Sequence, residues 1–293
     1  MKHILLLIYI LAAGISGYSQ VKRTVELKMN YEFFSTGKTN KLQFICLIPK
    51  NIEHVQNVIK TEFLPQPFKV FNKNGNNYAE FIFNSFSQKK EITVNIIIEI
   101  FKIDFNTIKM YPTFLSKSSP LGNYLINEPF IEKDNYLIKS AANRLIGKDT
   151  INTIKNIYNF TKNELTYFGY NEANTGDGAL TALMTKRGDC TEFSDLFVSL
   201  CRANNIPARA VIGYTTEFTN LSKHSWVEVY TKKYNWIRLD PTPGNAISFE
   251  NLKNKYIQLS EIRNDITLNN YSFNEYIYWG DPIKLKETIS IIK

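Results

Sequence analysis

The sequence contains few of the residues that usually bind metal ions or form disulfide frameworks. Its 293 residues include three cysteines, Cys46, Cys190 and Cys201, and three histidines, His3, His54 and His224. His224 has no second histidine near it and the cysteines lack a C-x-x-C spacing, so neither a metal site nor a cofactor is expected. An odd number of cysteines in an oxidising compartment leaves at least one thiol free. Whether Cys46 and Cys201 pair stays open.

Long apolar runs and clustered charge are also missing from most of the chain. No segment after the N-terminus is apolar over enough residues to span a membrane, and there are no repeats or low-complexity segments. The net charge is +8, but the lysines are scattered along the chain instead of forming a basic stripe. The sequence therefore predicts a globular protein that does not bind nucleic acid.

The N-terminus has the pattern of a targeting signal. Lys2 and His3 precede an apolar run over residues 4–13, and small residues follow at Gly17 and Ser19. We expect residues 1–19 to be a cleaved signal peptide, so that a mature chain starting near Gln20 is secreted or periplasmic. An uncleaved N-terminal anchor is the alternative. No cysteine lies at the cleavage point, so a lipid anchor is not expected.

The distribution of strand and helix patterns predicts two domains. Residues 20–110 contain strand-like segments separated by polar turns, with the longest at residues 91–105, and this spacing is typical of a β-sandwich. Residues 111–133 contain three prolines and are predicted to be a linker. The second domain, residues 134–293, begins with helical patterns. Residues 250–262 are predicted to be helical, and residues 271–279 to form a late strand or a covering arm.

A cysteine lies at the predicted start of a helix in this second domain. Asp189 and Glu192 have the spacing of a capping box, and an apolar stripe from Phe193 to Cys201 follows at helical intervals. Cys190 falls in the first turn and off this stripe, where the free N–H groups and the helix dipole favour a thiolate. Cys201 falls on the stripe and is predicted to be a buried free thiol.

A histidine and an aspartate lie on two strand-like segments that follow this helix. His224 starts the first segment and Asp240 ends the second. If the segments form a hairpin, pairing Trp236 with either Tyr230 or Glu228 leaves both side chains on one face, with about 5 to 8 Å between their Cβ atoms. An odd register would separate them. Cysteine, histidine and aspartate are the minimum set for a thiol nucleophile, its base and the group that orients the base.

Together these segments resemble the transglutaminase-like superfamily, whose core has a papain-like fold. The resemblance rests on G-D-C-x-E-F-x-x-L-F, R-A-N-N-I-P-A-R-A-V-x-G-Y, H-S-W-V-E-V-Y and W-x-x-L-D-P-T within residues 179–244, and it extends more weakly back to residue 134. It implies an α+β protein in which an N-terminal β-sandwich precedes a core with a catalytic helix packed on an antiparallel sheet. It also implies that Cys190 is the nucleophile, His224 the base and acid, and Asp240 the orienting group.

The same resemblance implies acyl transfer on peptide or protein substrates through a thioester. It suggests Tyr167 as an oxyanion donor and Trp226 as a wall of the substrate pocket, whose other residues would come from the loops at 171–178 and 215–223. Secreted bacterial members favour hydrolysis, by a cysteine peptidase or amidase. A protein-glutamine amine transferase is the first alternative. A non-catalytic module that binds peptide or cell-wall material is the second.

Overall fold

A computed structural model of the chain describes residues 21–102, 121–168, 177–217, 223–244, 246–249, 251–252 and 255–292. The predicted signal peptide, residues 111–120 of the predicted linker and most of the two predicted pocket loops lie outside these residues. The described residues form two large hydrophobic cores, one in a β-sandwich and one in a domain of mixed helix and sheet, and a small third cluster that includes Trp226 and Tyr256.

The sandwich consists of two four-stranded antiparallel sheets, with strand orders β16-β1-β6-β3 and β15-β2-β5-β4. Its strands are β1 (Lys22–Ser35), β2 (Thr39–Ile48), β3 (Gln56–Leu64), β4 (Lys69–Lys73), β5 (Asn76–Phe86), β6 (Lys89–Phe101), β15 (Asn274–Gly280) and β16 (Ile283–Ile292). Alternate side chains of β1, from Leu27 to Phe33, have no exposed surface, as the two-residue period of a half-buried strand requires.

The last two strands of the chain return to the sandwich. β16 pairs with β1 and β15 pairs with β2, so each completes a sheet that N-terminal strands begin. The division made from the sequence placed these residues in the second domain. The reason for the difference is long-range pairing, because each C-terminal strand covers a strand edge that would otherwise expose unpaired backbone groups.

The second domain packs four helices against a four-stranded antiparallel sheet of order β11-β10-β9-β14. The helices are α1 (Tyr136–Asn143), α2 (Thr150–Glu164), α3 (Gly178–Thr185) and α4 (Cys190–Ala203). The sheet strands are β9 (Ala208–Thr215), β10 (Lys223–Thr231), β11 (Asn235–Leu239) and β14 (Tyr256–Ser260). Two short pairs complete the domain, β7 (Thr166–Tyr167) with β8 (Arg187–Gly188) and β12 (Ala246–Ser248) with β13 (Asn251–Leu252). The predicted α+β class and the helix packed on an antiparallel sheet are confirmed.

The helix predicted for residues 250–262 is wrong, because this region forms strands. In β14 the apolar side chains of Ile257 and Leu259 are fully buried in the sandwich core, while Tyr256 and Gln258 alternate with them on the other face. This alternation is a strand period of two, and the polar character of the intervening residues concealed it.

Candidate active site

Cys190 is the first residue of α4, and the predicted capping box is present. The Asp189 carboxylate accepts a hydrogen bond from the Thr191 amide at 2.7 Å, and Glu192 Oε2 accepts one from the Asp189 amide at 2.9 Å. The second Glu192 oxygen accepts a hydrogen bond from the Asp177 amide at 3.0 Å, which holds the start of α3 against the start of α4. These contacts fix the backbone around Cys190, whose side chain is 5% exposed and borders a cleft.

The structure differs from the sequence analysis in how deeply α4 is buried. The prediction was one apolar face, whereas Ser194, Asp195 and Ser199 also have no exposed surface. The polar side of the helix is covered because Asp195 forms a buried ion pair with Arg263, whose Nε lies 2.9 Å from Asp195 Oδ1. A stripe of apolar residues predicts which face is buried, but it does not reveal a distant cation that covers the opposite face.

His224 and Asp240 meet as the even registers predict. β10 and β11 pair with Tyr230 opposite Trp236, which places His224 diagonal to Asp240. The distance from His224 Nε2 to Asp240 Oδ2 is 2.8 Å. Asp240 has no exposed surface, so this contact is shielded from water.

Two further donors hold the Asp240 carboxylate. The Tyr256 hydroxyl donates to Oδ2 at 2.6 Å, and the Thr242 amide donates to Oδ1 at 3.0 Å. Burial would raise the pKa of Asp240, but the positive charge of His224 and these hydrogen bonds keep it below its ordinary value. The carboxylate is therefore ionised and fixed in orientation.

His224 also interacts with Cys190. The two residues line the same cleft, and the negative charge of Cys190 acts on the imidazole. Because Nε2 faces Asp240, Nδ1 is the ring nitrogen left for the thiol. Burial alone would lower the pKa of His224, but the charges of Asp240 and Cys190 raise it from the ordinary 6.5 to about 10. The imidazole is therefore protonated at neutral pH and can donate a proton.

Tyr167 lies beside the start of α4. It pairs with Gly188 in the short parallel ladder, and its ring centroid is 6.4 Å from that of Phe193. Burial and the nearby charge of Cys190 raise the pKa of the phenol to about 12, so it keeps its proton at neutral pH. Its role as an oxyanion donor stays a prediction.

Trp226 does not line the cleft. It has no exposed surface, and its ring packs behind His224 and against Tyr256, with centroid separations of 6.1 and 4.9 Å. The strand borders the cleft through Lys223, His224 and Ser225 instead, so the described residues do not support a pocket wall at Trp226. Trp226 instead supports the imidazole from behind.

Two contributors, Tyr256 and Arg263, were missed by the sequence analysis. Both belong to residues 255–265, which we call the bridging segment. Tyr256 donates to Asp240, and Arg263 pairs with Asp195 while also bordering the cleft. A strand period over residues 256–260 would have indicated that Tyr256 faces the same side as Gln258. That period would not have identified Asp240 as the partner of Tyr256 or Asp195 as the partner of Arg263.

The cysteines and other potential ligands are not arranged as a metal site within the described ranges. No cluster of three or more His, Cys, Asp or Glu side chains there could hold a metal ion. All three cysteines are free, and Cys46 and Cys201 lie in different hydrophobic cores. Among the same residues no helix is long and apolar enough to cross a membrane.

The fold and this site define a papain-like arrangement, in which a cysteine at a helix start faces a histidine and an aspartate on an antiparallel sheet. Residues 139–241 match the family model of the transglutaminase-like superfamily. The chain therefore carries a transglutaminase-like core.

Individual relatives are consistent with this assignment. The uncharacterized protein YebA of Bacillus subtilis is 42% identical over 74 residues, which span 20% of this chain and 10% of YebA. An uncharacterized protein of Haemophilus influenzae is 26% identical over 224 residues, covering 68% of this chain and 58% of that protein. The chain thus spans a tenth of the first relative and under two thirds of the second.

One solved structure shares the fold over nearly the whole chain. A candidate cysteine protease from Cytophaga hutchinsonii superposes with a TM-score of 0.67 and 16% identity, covering 94% of this chain and 92% of that one. At this identity the likeness concerns the fold alone.

Proposed function

We propose that this protein is a thiol enzyme that hydrolyses amide bonds of peptides or proteins, with Cys190 as nucleophile, His224 as acid and base, and Asp240 as the orienting group. The transglutaminase-like core supports a thiol enzyme as the general class. The observation that carries the assignment to these residues is the buried contact of 2.8 Å between His224 and Asp240, with Cys190 on the same cleft.

The first half of the reaction forms a thioester. The Cys190 thiolate attacks the carbonyl carbon of the substrate amide, and the His224 imidazolium gives its Nδ1 proton to the leaving amine as the carbon–nitrogen bond breaks. The raised pKa of His224 suits this step, because the proton is already on the ring when the substrate arrives. The Cys190 backbone N–H and Tyr167 are the proposed donors to the oxyanion.

The second half releases the acid. His224, now neutral, takes a proton from water as the water oxygen attacks the thioester carbon, and the carbon–sulfur bond breaks to regenerate the thiolate. Asp240 stays ionised throughout and keeps Nε2 protonated, so that Nδ1 is the nitrogen that exchanges protons. The three hydrogen bonds to Asp240 support this fixed role.

We further propose that the enzyme acts outside the cytoplasm on peptide or protein substrates. The basic and then apolar pattern of residues 1–19 supports export by a cleaved signal peptide. The nature of the acyl acceptor is the finer part of the proposal: water gives a peptidase or amidase, whereas a lysine amine would give a protein cross-link.

A screen on purified protein tests the proposal. Wild type, Cys190→Ala and Cys201→Ala are incubated with peptide libraries and casein, and release of new amino termini is compared with incorporation of a labelled primary amine. Cys201 is the matched control, because it is a buried free cysteine in the same helix. Hydrolysis by wild type and Cys201→Ala, absent in Cys190→Ala, is the expected result.

Other outcomes of this screen have distinct meanings. Amine incorporation that exceeds hydrolysis and depends on Cys190 would replace the peptidase with an amine transferase. Equal, background activity in all three proteins, together with retention of peptide or cell-wall fragments, would refute the enzyme and favour a binding module.

A further inference from the structure

The bridging segment, residues 255–265, contacts both the Asp240 carboxylate and the helix that begins at Cys190. At one end the Tyr256 hydroxyl donates to Asp240 at 2.6 Å. Near the other end the Arg263 guanidinium pairs with Asp195 of α4, the helix that begins at Cys190. The position of this segment therefore affects the orienting carboxylate and the cysteine helix together.

The sandwich holds the backbone of the same segment. The Gln56 side chain, 1% exposed, donates from Nε2 to the Gln258 carbonyl at 2.9 Å and accepts from the Gln258 amide at Oε1 at 2.7 Å. The two bonds reproduce the pairing that a neighbouring peptide group would make. Because β14 is the edge strand of its sheet, they satisfy backbone groups that no further strand of that sheet can reach.

Two more hydrogen bonds from the sandwich reach the segment beyond Gln258. Asn76 Nδ2 donates to Ser260 Oγ at 2.8 Å, and the Tyr78 hydroxyl donates to Asp265 Oδ2 at 2.6 Å. All four side chains are buried. The sandwich thus binds the segment at three points along its length.

The register of β14 needs such support. Its pairing with β9 shifts between Gln258 and Ser260, so the ladder is irregular next to the point that Gln56 holds. A slip of one residue would turn the Tyr256 side chain to the opposite face of the strand and away from Asp240. The contact with the Gln258 backbone lies two residues from Tyr256 and opposes such a slip.

We propose that the β-sandwich positions the candidate site, with Gln56 as the positioning residue that fixes β14 so that Tyr256 meets Asp240. This inference rests on the proposed function, since it gives the sandwich a role in that site.

The test uses Gln56→Glu, because a neutral carboxyl group keeps one donor for the Gln258 carbonyl and one acceptor for the Gln258 amide, and loses only the second donor, which serves the Lys50 carbonyl. A carboxylate has only acceptors. The measured quantity is the rate constant for alkylation of Cys190 by iodoacetamide from pH 5 to pH 9, followed by mass spectrometry. At low pH the variant should match wild type. As the buried carboxyl ionises, it repels the Gln258 carbonyl, and alkylation should slow by about tenfold, the effect of one hydrogen bond to a charged group.

Gln43→Glu is the matched control. Gln43 also lies in the sandwich and donates to Glu80 at 2.6 Å, and none of the hydrogen bonds described for it reaches the bridging segment. Gln43→Glu shows how much a loss of sandwich stability alone changes the alkylation rate of Cys190. Circular dichroism melting fixes a temperature at which every variant is folded.

Tyr256→Phe decides between positioning and general destabilisation. If Gln56 acts through Tyr256, the two substitutions together should slow alkylation no more than Tyr256→Phe alone. Should Gln56→Glu fail to fold, Gln56→Met is combined with Tyr256→Phe in the same way and should be slow at every pH.

The inference is overturned if the alkylation rate of Gln56→Glu follows that of wild type at all pH values, or if Gln43→Glu shows the same slowing. It is also overturned if the effects of Gln56→Glu and Tyr256→Phe on the alkylation rate add in the double variant. Failure of the proposed function is separate. It appears as a substrate screen without Cys190-dependent turnover, whereas the alkylation rate reports on the geometry of the site whatever the substrate.

Discussion

Replacement of Asp240 by asparagine tests the electrostatic origin of the His224 protonation state. The substitution keeps the size of the side chain and removes its charge. Asp240 receives hydrogen bonds from His224, Tyr256 and the Thr242 amide. An asparagine has one oxygen, so its NH₂ group must face at least one of these donors.

The size of the effect follows from the His224 pKa, which lies at about 10 against an ordinary 6.5. At about 1.36 kcal/mol per pKa unit, this rise corresponds to about 5 kcal/mol of preference for the imidazolium, shared between the charges of Asp240 and Cys190. Burial opposes it. We therefore expect the pKa of His224 in Asp240→Asn to fall by about 2 units or more, and turnover to fall while the Cys190 thiol remains.

The assay is an NMR titration of the histidine ring protons. A chain that starts near Gln20 contains only His54 and His224, so the two signals can be assigned by a His54→Gln variant. Glu80→Gln is the control, because Glu80 is a buried carboxylate of the sandwich held by Gln43 and Lys69 and not by His224. A His224 pKa that stays near 10 in Asp240→Asn would refute the electrostatic argument.

Three further predictions concern groups around the site. Arg263→Leu should lower the free energy of unfolding by about 3 to 5 kcal/mol, because it leaves the Asp195 charge buried and unpaired. Urea unfolding should show a smaller loss of stability in the double variant Arg263→Leu/Asp195→Leu, which removes both charges. Ellman's reagent should titrate Cys190 alone in the folded protein and three thiols after denaturation, since the other two side chains have no exposed surface; two fast thiols would contradict this packing. Burial and the charge of Asp189 raise the pKa of Glu192 to about 7, so its stabilising contribution is present at acidic pH and lost as the pH rises through 7. The stability of wild type relative to Glu192→Gln should therefore decrease from pH 5 to pH 8, and a constant difference would exclude this ionisation.

Local signals in the sequence predicted much of the fold and part of the site. The capping box at Asp189 and Glu192 placed Cys190 at a helix start, and strand parity placed His224 and Asp240 on one face. Both features depend on residues close together in the chain, whose geometry is fixed by helix and strand periods.

Features that depend on distant residues were missed or wrong. Residues 250–262 were assigned to a helix because their alternation was masked by polar side chains whose partners lie far away. Gln258 bonds to Gln56 across 202 positions, and Arg263 bonds to Asp195 across 68. Trp226, which the family resemblance suggested as a pocket wall, is instead fully buried against His224 and Tyr256.

The sequence by itself determined the reactive groups and the local elements that carry them, because hydrogen-bonding periods and caps act over a few residues. Only the tertiary structure decided what surrounds those groups. It brought the last strands of the chain back to the sandwich, and it placed the bridging segment between the sandwich and the core. Burial at that junction removes water from Asp240, and the charges of Asp240 and Cys190 raise the pKa of His224 against the effect of burial. These are effects of chain segments that meet only after folding.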